Sequence, residues 1–259
     1  MTQLLNSLLS YWFRWYSSSA TINQEILWIT GGAFHQTSTE LVDPTLPFAL
    51  PGPELPLPFD GHCMTKINDS TVILTGGIGN EGAMLMVDTT KDFEMTFGPK
   101  MKTHRWLHGC AIIEVQNELH VIVAGGYDEN GVTRSTELWN SKTSEWIKGR
   151  KYYVHSIYLV IPTLAILWFI DKIAFIFSLF IIGPDLPIKC AYPTMVTSDN
   201  GKSVILLGCY EDRESIYKMK ASTTAGASIW EKMPQKLQFP RTETVALLIP
   251  DTLVKCNND

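Results

Sequence analysis

Residues 105–149 read RWLHGCAIIEVQNELHVIVAGGYDENGVTRSTELWNSKTSEWIKG. An apolar run ends in the glycine pair Gly125-Gly126, and a polar loop, the segment STELW and Trp146 follow it. Short runs rich in Val and Ile that are bounded by Gly, Asn and Asp predict β-strands joined by turns. The stretch therefore predicts a unit of four short strands.

The same pattern recurs along the chain. Glycine pairs end apolar runs at Gly31-Gly32, Gly76-Gly77 and Gly125-Gly126, and a fourth run ends in Gly208 followed by a cysteine. The runs are 45, 49 and 83 residues apart. Deleting the 34 residues 150–183, of which 24 are apolar, turns 83 into 49 and restores the period. A period of about 45–50 residues is typical of a propeller blade.

These residues resemble the kelch repeat family. The shared pattern is an apolar strand, Gly-Gly, a loop, a strand with Tyr or Leu, a spaced Trp and then Gly-Pro or Leu-Pro, over about residues 25–149 and 184–250. The resemblance implies an all-β fold, a kelch-type β-propeller of about four blades, with an incomplete larger propeller as the alternative. We expect the glycines to serve crowded turns and the tryptophans to pack between blades. The predicted structural residues are Gly31, Gly32, Gly76, Gly77, Gly125, Gly126, Gly208, Trp146 and Trp230.

The predicted propeller covers residues 25–259 and follows an N-terminal extension, 1–24, that is a weak candidate for a signal or anchor. In this interpretation the first unit begins at its second strand, and Pro240–Asp251 supplies the missing first strand. The predicted units are 25–60 together with 238–259, 61–103, 104–187 with its insertion, and 188–237.

The insertion 150–183 is the most apolar part of the chain. Asp171 and Lys172 divide its apolar core into halves of 14 and 10 residues, and each half is shorter than the about 20 residues that a helix needs to cross a bilayer. We therefore do not predict a single membrane span, although contact with a membrane through 153–182 stays open. Our preferred hypothesis is that the insertion is a translated, retained intron, because removing it restores the repeat.

Composition argues against several function classes. A net charge of −5 without a basic block argues against nucleic-acid binding. The motifs HExxH, GxSxG and the P-loop do not occur, and the six histidines show no metal-ligand spacing. The sequence therefore predicts no catalytic, cofactor-binding or metal-binding residue.

The cysteines give little sign of a disulfide framework, because the chain has five, an odd number. We read Cys63, Cys110 and Cys190 as small buried apolar residues at equivalent positions of strand one. The N-terminal extension lacks the basic start and the unbroken apolar core of a signal peptide, which favours the cytoplasm and leaves secretion open. Asn68-Asp69-Ser70 is a glycosylation sequon in a predicted surface turn, and it matters only if the chain is secreted.

The predicted function is non-enzymatic protein–protein interaction through the blade loops, with a partner protein whose identity the sequence does not give, in the manner of a scaffold or adaptor. One alternative is a sugar-active enzyme on the same fold, mutarotase-like or galactose-oxidase-like; Arg105, Arg213, Arg241 and His108 fit the first only loosely. Another is the truncated substrate-recognition half of a ubiquitin-ligase adaptor. The candidate interaction surface is His104, Arg105, Trp106, His108, Asp128, Glu129, Glu211 and Asp212.

Overall fold

A computed structural model describes residues 14–23, 25–80, 82–115, 117–149, 183–221 and 228–242. They form four antiparallel sheets of four strands each, which we call blades 1 to 4. Blade 1 contains β1 (Ser18–Ile22), β2 (Ile26–Thr30), β3 (Thr39–Val42) and β4 (Leu50–Pro51), and blade 2 contains β5 (Cys63–Lys66), β6 (Thr71–Thr75), β7 (Met84–Asp88) and β8 (Glu94–Phe97). Blade 3 contains β9 (Gly109–Val115), β10 (Glu118–Ala124), β13 (Thr136–Asn140) and β14 (Glu145–Lys148), with the hairpin β11 (Tyr127–Asp128) and β12 (Gly131–Val132) between its second and third strands. Blade 4 contains β15 (Thr194–Ser198), β16 (Ser203–Cys209), β17 (Asp212–Lys220) and β18 (Trp230–Lys236).

This is a four-bladed β-propeller arrangement, so the predicted all-β, kelch-type fold is confirmed. The second strand of each blade pairs with the first and third strands, so it has neighbours on both sides. In blade 3 this strand is β10, and its last five residues are all buried. A continuous apolar run in the sequence is what a strand covered on both faces requires.

Apolar side chains fill the spaces between neighbouring blades. Separate clusters lie between blades 1 and 2, blades 2 and 3, and blades 3 and 4, with Trp28, Trp146 and Trp230 among their largest members. The indole Nε1 of Trp146 donates to the Pro99 carbonyl at 2.8 Å, and that of Trp230 donates to the Pro184 carbonyl at 3.0 Å. Both tryptophans thus join the outer strand of one blade to the Gly-Pro segment that follows the previous blade.

The first glycine of each pair contacts the backbone of the segment that leads into the next blade. Gly31, Gly76 and Gly125 have φ of 56°, 64° and 67°, in the left-handed region. A Cβ atom at these positions would lie 2.1–2.4 Å from a carbonyl oxygen of the following blade's first segment. Both the backbone angle and the close approach exclude a side chain.

The first blade differs from the prediction. Ser18–Ile22 forms β1 and pairs with β2 along its whole length, from Ser18 opposite Thr30 to Ile22 opposite Ile26. The first unit therefore has its own first strand, and the prediction that Pro240–Asp251 supplies that strand is wrong. The physical reason is a tight turn at Asn23, with φ of 48°, which joins the two strands.

The segment after blade 4 makes the same backbone hydrogen bond as the loops that follow blades 1 and 3. The backbone N–H of Phe59 donates to Gln36, that of Cys190 to Thr133, and that of Arg241 to Arg213. Arg241 therefore occupies the place that Phe59 and Cys190 have in the loops that enter blades 2 and 4. Residues 243–259, and with them most of the predicted strand segment Pro240–Asp251, lie outside the described residues.

The two ends of the insertion meet. Gly149 donates its N–H to the Thr136 carbonyl, as Gly52 donates to Thr39 and Gly98 to Met84. A Cβ atom on Gly149 would lie 2.2 Å from the carbonyl oxygen of Gly183, so these two glycines are in contact. The chain thus leaves blade 3 and returns to it at one point. Residues 150–182 themselves lie outside the described residues, and among the described residues no helix is long and apolar enough to cross a membrane.

Candidate functional site

The segments that precede the first strand of each blade surround the axis of the propeller. Tyr16, Gly61, Leu107 and Tyr192 occupy the same position in these four segments, and all have φ between 52° and 66°. Gly61 donates its N–H to the Tyr16 carbonyl, Leu107 to Gly61, and Tyr192 to Leu107, at 3.0, 2.6 and 3.1 Å. This run of backbone hydrogen bonds, which we call the axial ladder, fixes the four segments relative to one another.

A cavity of about 630 Å³ opens at the axial ladder. All four entry segments line it, and its wall includes Tyr16, His62, His108 and Tyr192. A cavity of this size is within the range of ligand and peptide sites in proteins.

Aromatic side chains cluster at this cavity, beginning with Trp15, Tyr16 and Tyr192 in its wall. Tyr192 lies 5.9 Å from Tyr16, 6.1 Å from Tyr127 and 6.5 Å from Tyr210, measured between ring centroids. Trp106 stacks on Tyr127 at 5.9 Å with an angle of 14° between the rings. We call this set, together with the adjoining pair Trp15 and Phe34, the aromatic mouth. Its rings come from blades 1, 3 and 4.

Several of these rings are exposed. Phe34 is 80% exposed, Trp15 61% and Tyr210 54%. The guanidinium of Arg213 lies 4.4 Å from the centre of the Tyr210 ring, a cation–π contact. Exposed aromatic rings held by a rigid backbone are typical of interaction surfaces.

The predicted site residue Arg105 lies below this surface and is fully buried. Its guanidinium donates to the carbonyls of Gly125 and Ser135 and to the carboxylate of Glu137, the last at 3.0 Å. Burial lowers the pKa of Arg105, and Glu137 opposes this effect. Because both of its terminal nitrogens are hydrogen-bonded within the blade, and Arg105 is not among the residues that line the cavity, its guanidinium serves the fold.

Blade 1 contains a second copy of this arrangement. Arg14 donates to the carbonyls of Gly31 and Ser38 and to the carboxylate of Glu40, with a closest N–O distance of 2.8 Å. The sequence analysis did not identify this pair, although STEL occurs in both blades. In blade 2 the arginine position holds Phe59, and the glutamate position holds Leu85, so the ion pair is replaced by an apolar pair.

His62 and His108 are buried and join neighbouring blades. The Nε2 atom of His62 lies 2.8 Å from Thr30 Oγ1, and that of His108 lies 2.9 Å from Thr75 Oγ1. Burial lowers the pKa of His62 to about 3 and that of His108 well below its usual value. Both rings are therefore neutral at physiological pH. His108, a predicted site residue, instead forms a hydrogen bond with Thr75 of blade 2.

The predicted acidic residues have different environments. Asp128 and Glu129 lie in the β11–β12 hairpin beside Tyr127, and Glu129 is exposed. The Glu211 carboxylate accepts the N–H of Ala191 at 2.8 Å, next to Tyr192. Asp212 is mainly structural: burial opposes its ionisation, but hydrogen bonds from Tyr217, Ser215 and Lys232 lower its pKa to about 2.

His104 lies away from the aromatic mouth, near Gly82 and Phe97 at the outer side of blade 2. The predicted surface is therefore divided. Trp106, Asp128, Glu129 and Glu211 lie at or near the mouth, and His108 lies in the wall of the axial cavity. The remaining members, His104, Arg105 and Asp212, are not part of the mouth. Arg105, one of the four residues that loosely fit the mutarotase-like alternative, is fully buried. No cluster of metal-ligating side chains occurs among the residues that the structure describes.

The sequence reading of the cysteines is wrong. Cys63 in blade 2 and Cys110 in blade 3 form a disulfide, and Cys190 and Cys209 in blade 4 form another. Cys63 directly follows His62, whereas Cys110 is two residues after His108, so the two cysteines are not at equivalent positions. A shift of one residue turns a side chain to the other face of the sheet, and each sulfur therefore points toward the other blade.

Cys190 occupies a third position in the repeat. Its carbonyl accepts the N–H of Gly126, just as the Arg105 carbonyl accepts that of Gly77. Cys190 therefore stands where blades 1 and 3 have arginine, and its partner Cys209 stands where other blades have the second glycine. In blade 4 a covalent bond holds the entry segment that an ion pair holds in blades 1 and 3.

Comparison with known proteins supports the repeat assignment. Over 133 residues, or 48% of its length, the chain is 28% identical to Kelch-like protein 40 of Xenopus laevis; it is 29% identical to Kelch-like protein 40 of Xenopus tropicalis over 129 residues, or 46% of its length. The matched regions span 21% and 20% of these relatives. No protein-family model matches the chain. Together with the four blades, these similarities decide the assignment. The chain is a kelch-type protein.

In this kelch-type protein the predicted glycines and tryptophans have places that fit a structural role, in turns and between blades. The tyrosines of the mouth were not identified from the sequence. Tyr127 and Tyr210 occur directly after the glycine pair or its counterpart, and Tyr16 and Tyr192 occur at the ladder position. A comparison of those two positions across the four units could have found them.

Proposed function

We propose that this kelch-type protein is a non-enzymatic protein-interaction module and that its partner binds the aromatic mouth. The observation that carries the proposal is a set of exposed rings at the axial cavity: Trp15 lines the cavity, Phe34 contacts Trp15, and Tyr210 contacts Tyr192 of the cavity wall. Burying a large aromatic ring in a partner's pocket contributes much of the affinity in protein interfaces.

The backbone beneath the rings supports the same proposal. Tyr16 and Tyr192 belong to the axial ladder, and Tyr127 donates its N–H to the Trp106 carbonyl at 2.9 Å and accepts from the Trp106 N–H at 3.1 Å. A surface that is already ordered loses little conformational entropy when a partner binds. The mouth therefore has the rigidity that a high-affinity site requires.

Affinity capture from the source tissue, followed by a dissociation constant for each captured protein with purified components, tests this proposal. We expect Trp15→Ala and Tyr210→Ala each to weaken the partner's binding by about 10- to 100-fold. Phe97→Ala is the matched control, because Phe97 is 59% exposed and lies on the outer strand of blade 2.

The outcome that would contradict the proposal is equally specific. If a captured partner binds Trp15→Ala and Tyr210→Ala as well as it binds the wild-type chain, the mouth is not its site. If Phe97→Ala alone weakens binding, the outer edge of blade 2 is the interaction surface.

A further inference from the structure

Four of the five cysteines are joined in two disulfides. Disulfides persist in oxidising compartments such as the secretory lumen, and they are rare in the cytosol. Cys190 and Cys209 are both 0% exposed, and Cys110 is 5% exposed. Because the folded chain encloses these sulfurs, an oxidant reaches the thiols only before the cores close. Oxidation must therefore accompany folding.

The only sequon of the chain, Asn68-Asp69-Ser70, forms the turn between β5 and β6. Asn68 is exposed, and the side chain of Asp69 beside it is 100% exposed. The Oδ1 atom of Asn68 accepts hydrogen bonds from the N–H of Ser70 at 2.9 Å and from its hydroxyl at 3.1 Å. A glycan on the Nδ2 atom of Asn68 would therefore extend into solvent.

This turn also lies away from the proposed interaction surface. The first strand of a blade runs from the axial ladder to this turn, and the second strand returns to the glycine pair. The β5–β6 turn is therefore at the opposite face from the aromatic mouth. A glycan there leaves the mouth accessible.

We propose that Asn68 is N-glycosylated, in a secretory compartment in which the two disulfides also form. In the glycosylation step Asn68 Nδ2 attacks the anomeric carbon of an oligosaccharide carried on a lipid pyrophosphate. The N–C bond forms, the bond from that carbon to the pyrophosphate oxygen breaks, the amide proton passes to a base, and the lipid pyrophosphate leaves. Each disulfide forms as two thiols give two protons and two electrons to a disulfide oxidant, which becomes a dithiol.

The test is expression of the full chain in cultured animal cells, followed by electrophoresis with and without reductant and by treatment with peptide N-glycosidase. We expect wild type to run faster after the glycosidase, and its peptide 67–91 to carry aspartate in place of Asn68. Asn68→Gln and Ser70→Ala should remove this shift. Ser70→Thr should retain it, because threonine also completes the sequon.

Asn130→Gln is the matched control, since Asn130 is also an exposed turn asparagine but is followed by Gly-Val. The control should keep the shift. A disulfide-bonded wild-type chain in the secretory lumen or the medium without a glycan on Asn68 would overturn the proposal. Recovery of the wild-type chain in the cytosol with free thiols at Cys63, Cys110, Cys190 and Cys209 would overturn it as well. Neither outcome bears on the partner surface, which is tested separately with Trp15→Ala.

Discussion

The guanidinium of Arg105 and the carboxylate of Glu137 lie 3.0 Å apart, and both side chains are 0% exposed. Glu137 also accepts the N–H groups of Lys102 and Thr103, each at 2.7 Å. The pair therefore joins the loop that enters blade 3 to the third strand of that blade. A buried charge without its partner is strongly destabilising.

We expect Glu137→Leu to lower the free energy of unfolding by about 3–5 kcal/mol, because it leaves the Arg105 charge buried and unpaired. The double variant Arg105→Phe with Glu137→Leu copies the apolar pair that blade 2 has at the same positions, Phe59 and Leu85. It should recover a large part of the loss. Urea unfolding of the two single variants and the double variant measures this coupling, and additive losses would show that the two side chains do not stabilise each other.

The two disulfides make stability dependent on redox conditions. They close loops with sequence separations of 47 and 19 residues. Reduction should lower the free energy of unfolding by about 2–4 kcal/mol for each bond, because the unfolded chain gains freedom. Thermal unfolding of Cys63→Ser and Cys209→Ser, with and without reductant, measures the effect of each bond. Cys256→Ser, which lies outside the described residues, is the control, and an equal loss in that variant would contradict the assignment of the pairs.

Acid should destabilise the fold through the buried histidines. The pKa of His62 is lowered from 6.5 to about 3, so between these values the unfolded chain binds a proton that the folded chain does not. The stability contribution of neutral His62 is therefore complete above the unfolded pKa and decreases as the pH falls. From about pH 7 to about pH 5 the loss from His62 should be about 2 kcal/mol.

Urea unfolding over this pH range checks the prediction. His62→Gln does not titrate, so its free energy of unfolding should fall less steeply with acid than that of the wild-type chain. The remaining slope comes from His108, whose pKa is also lowered by burial, and from other titrating groups. An unchanged slope in His62→Gln would mean that His62 is not the group that titrates.

Removal of the insertion should leave the propeller intact. In the variant that lacks residues 150–183, Gly149 is joined directly to Pro184, which restores the Gly-Pro step found at Gly52-Pro53 and Gly98-Pro99. We expect its free energy of unfolding to stay within about 1 kcal/mol of the wild-type value, because shortening a loop changes chain entropy only slowly.

A deletion of the same length, 154–187, is the control. It removes Leu186, which is 2% exposed and belongs to the core between blades 3 and 4, and it should destabilise the fold. Equal stability of the two deletion variants would contradict the role of the Gly149–Pro184 junction. Sequencing of transcripts tests the intron hypothesis separately, and a dominant message that encodes 150–183 in several tissues would disprove it.

The sequence predicted the repeating parts of the fold because their physical requirements repeat. Gly31, Gly76 and Gly125 all avoid the same carbonyl contact, and Trp146 and Trp230 make the same hydrogen bond. The first strand, Ser18–Ile22, was missed because its sequence SSATI has few apolar residues and follows an aromatic-rich segment. A strand with so little alternation of apolar and polar residues is not recognisable from its own sequence, because pairing with β2 determines its position.

The candidate site was less predictable, since its residues are shared by only some of the four units. Tyr192 corresponds to Tyr16 in blade 1 but to Gly61 and Leu107 in blades 2 and 3, so the repeat pattern marks it only weakly. Likewise the offset between Cys63 and Cys110 becomes visible only when each is counted from its own histidine. Proximity between different blades is a property of the assembled arrangement of blades, and a single unit does not encode it.

The contact between Gly149 and Gly183 has a consequence for engineering. Two chain ends that touch can be connected by almost any segment whose own ends lie close together, and foreign domains are tolerated best at such junctions. The natural insertion point is therefore a ready fusion site: a fluorescent protein or a binding peptide placed there should report on the propeller without interrupting a strand.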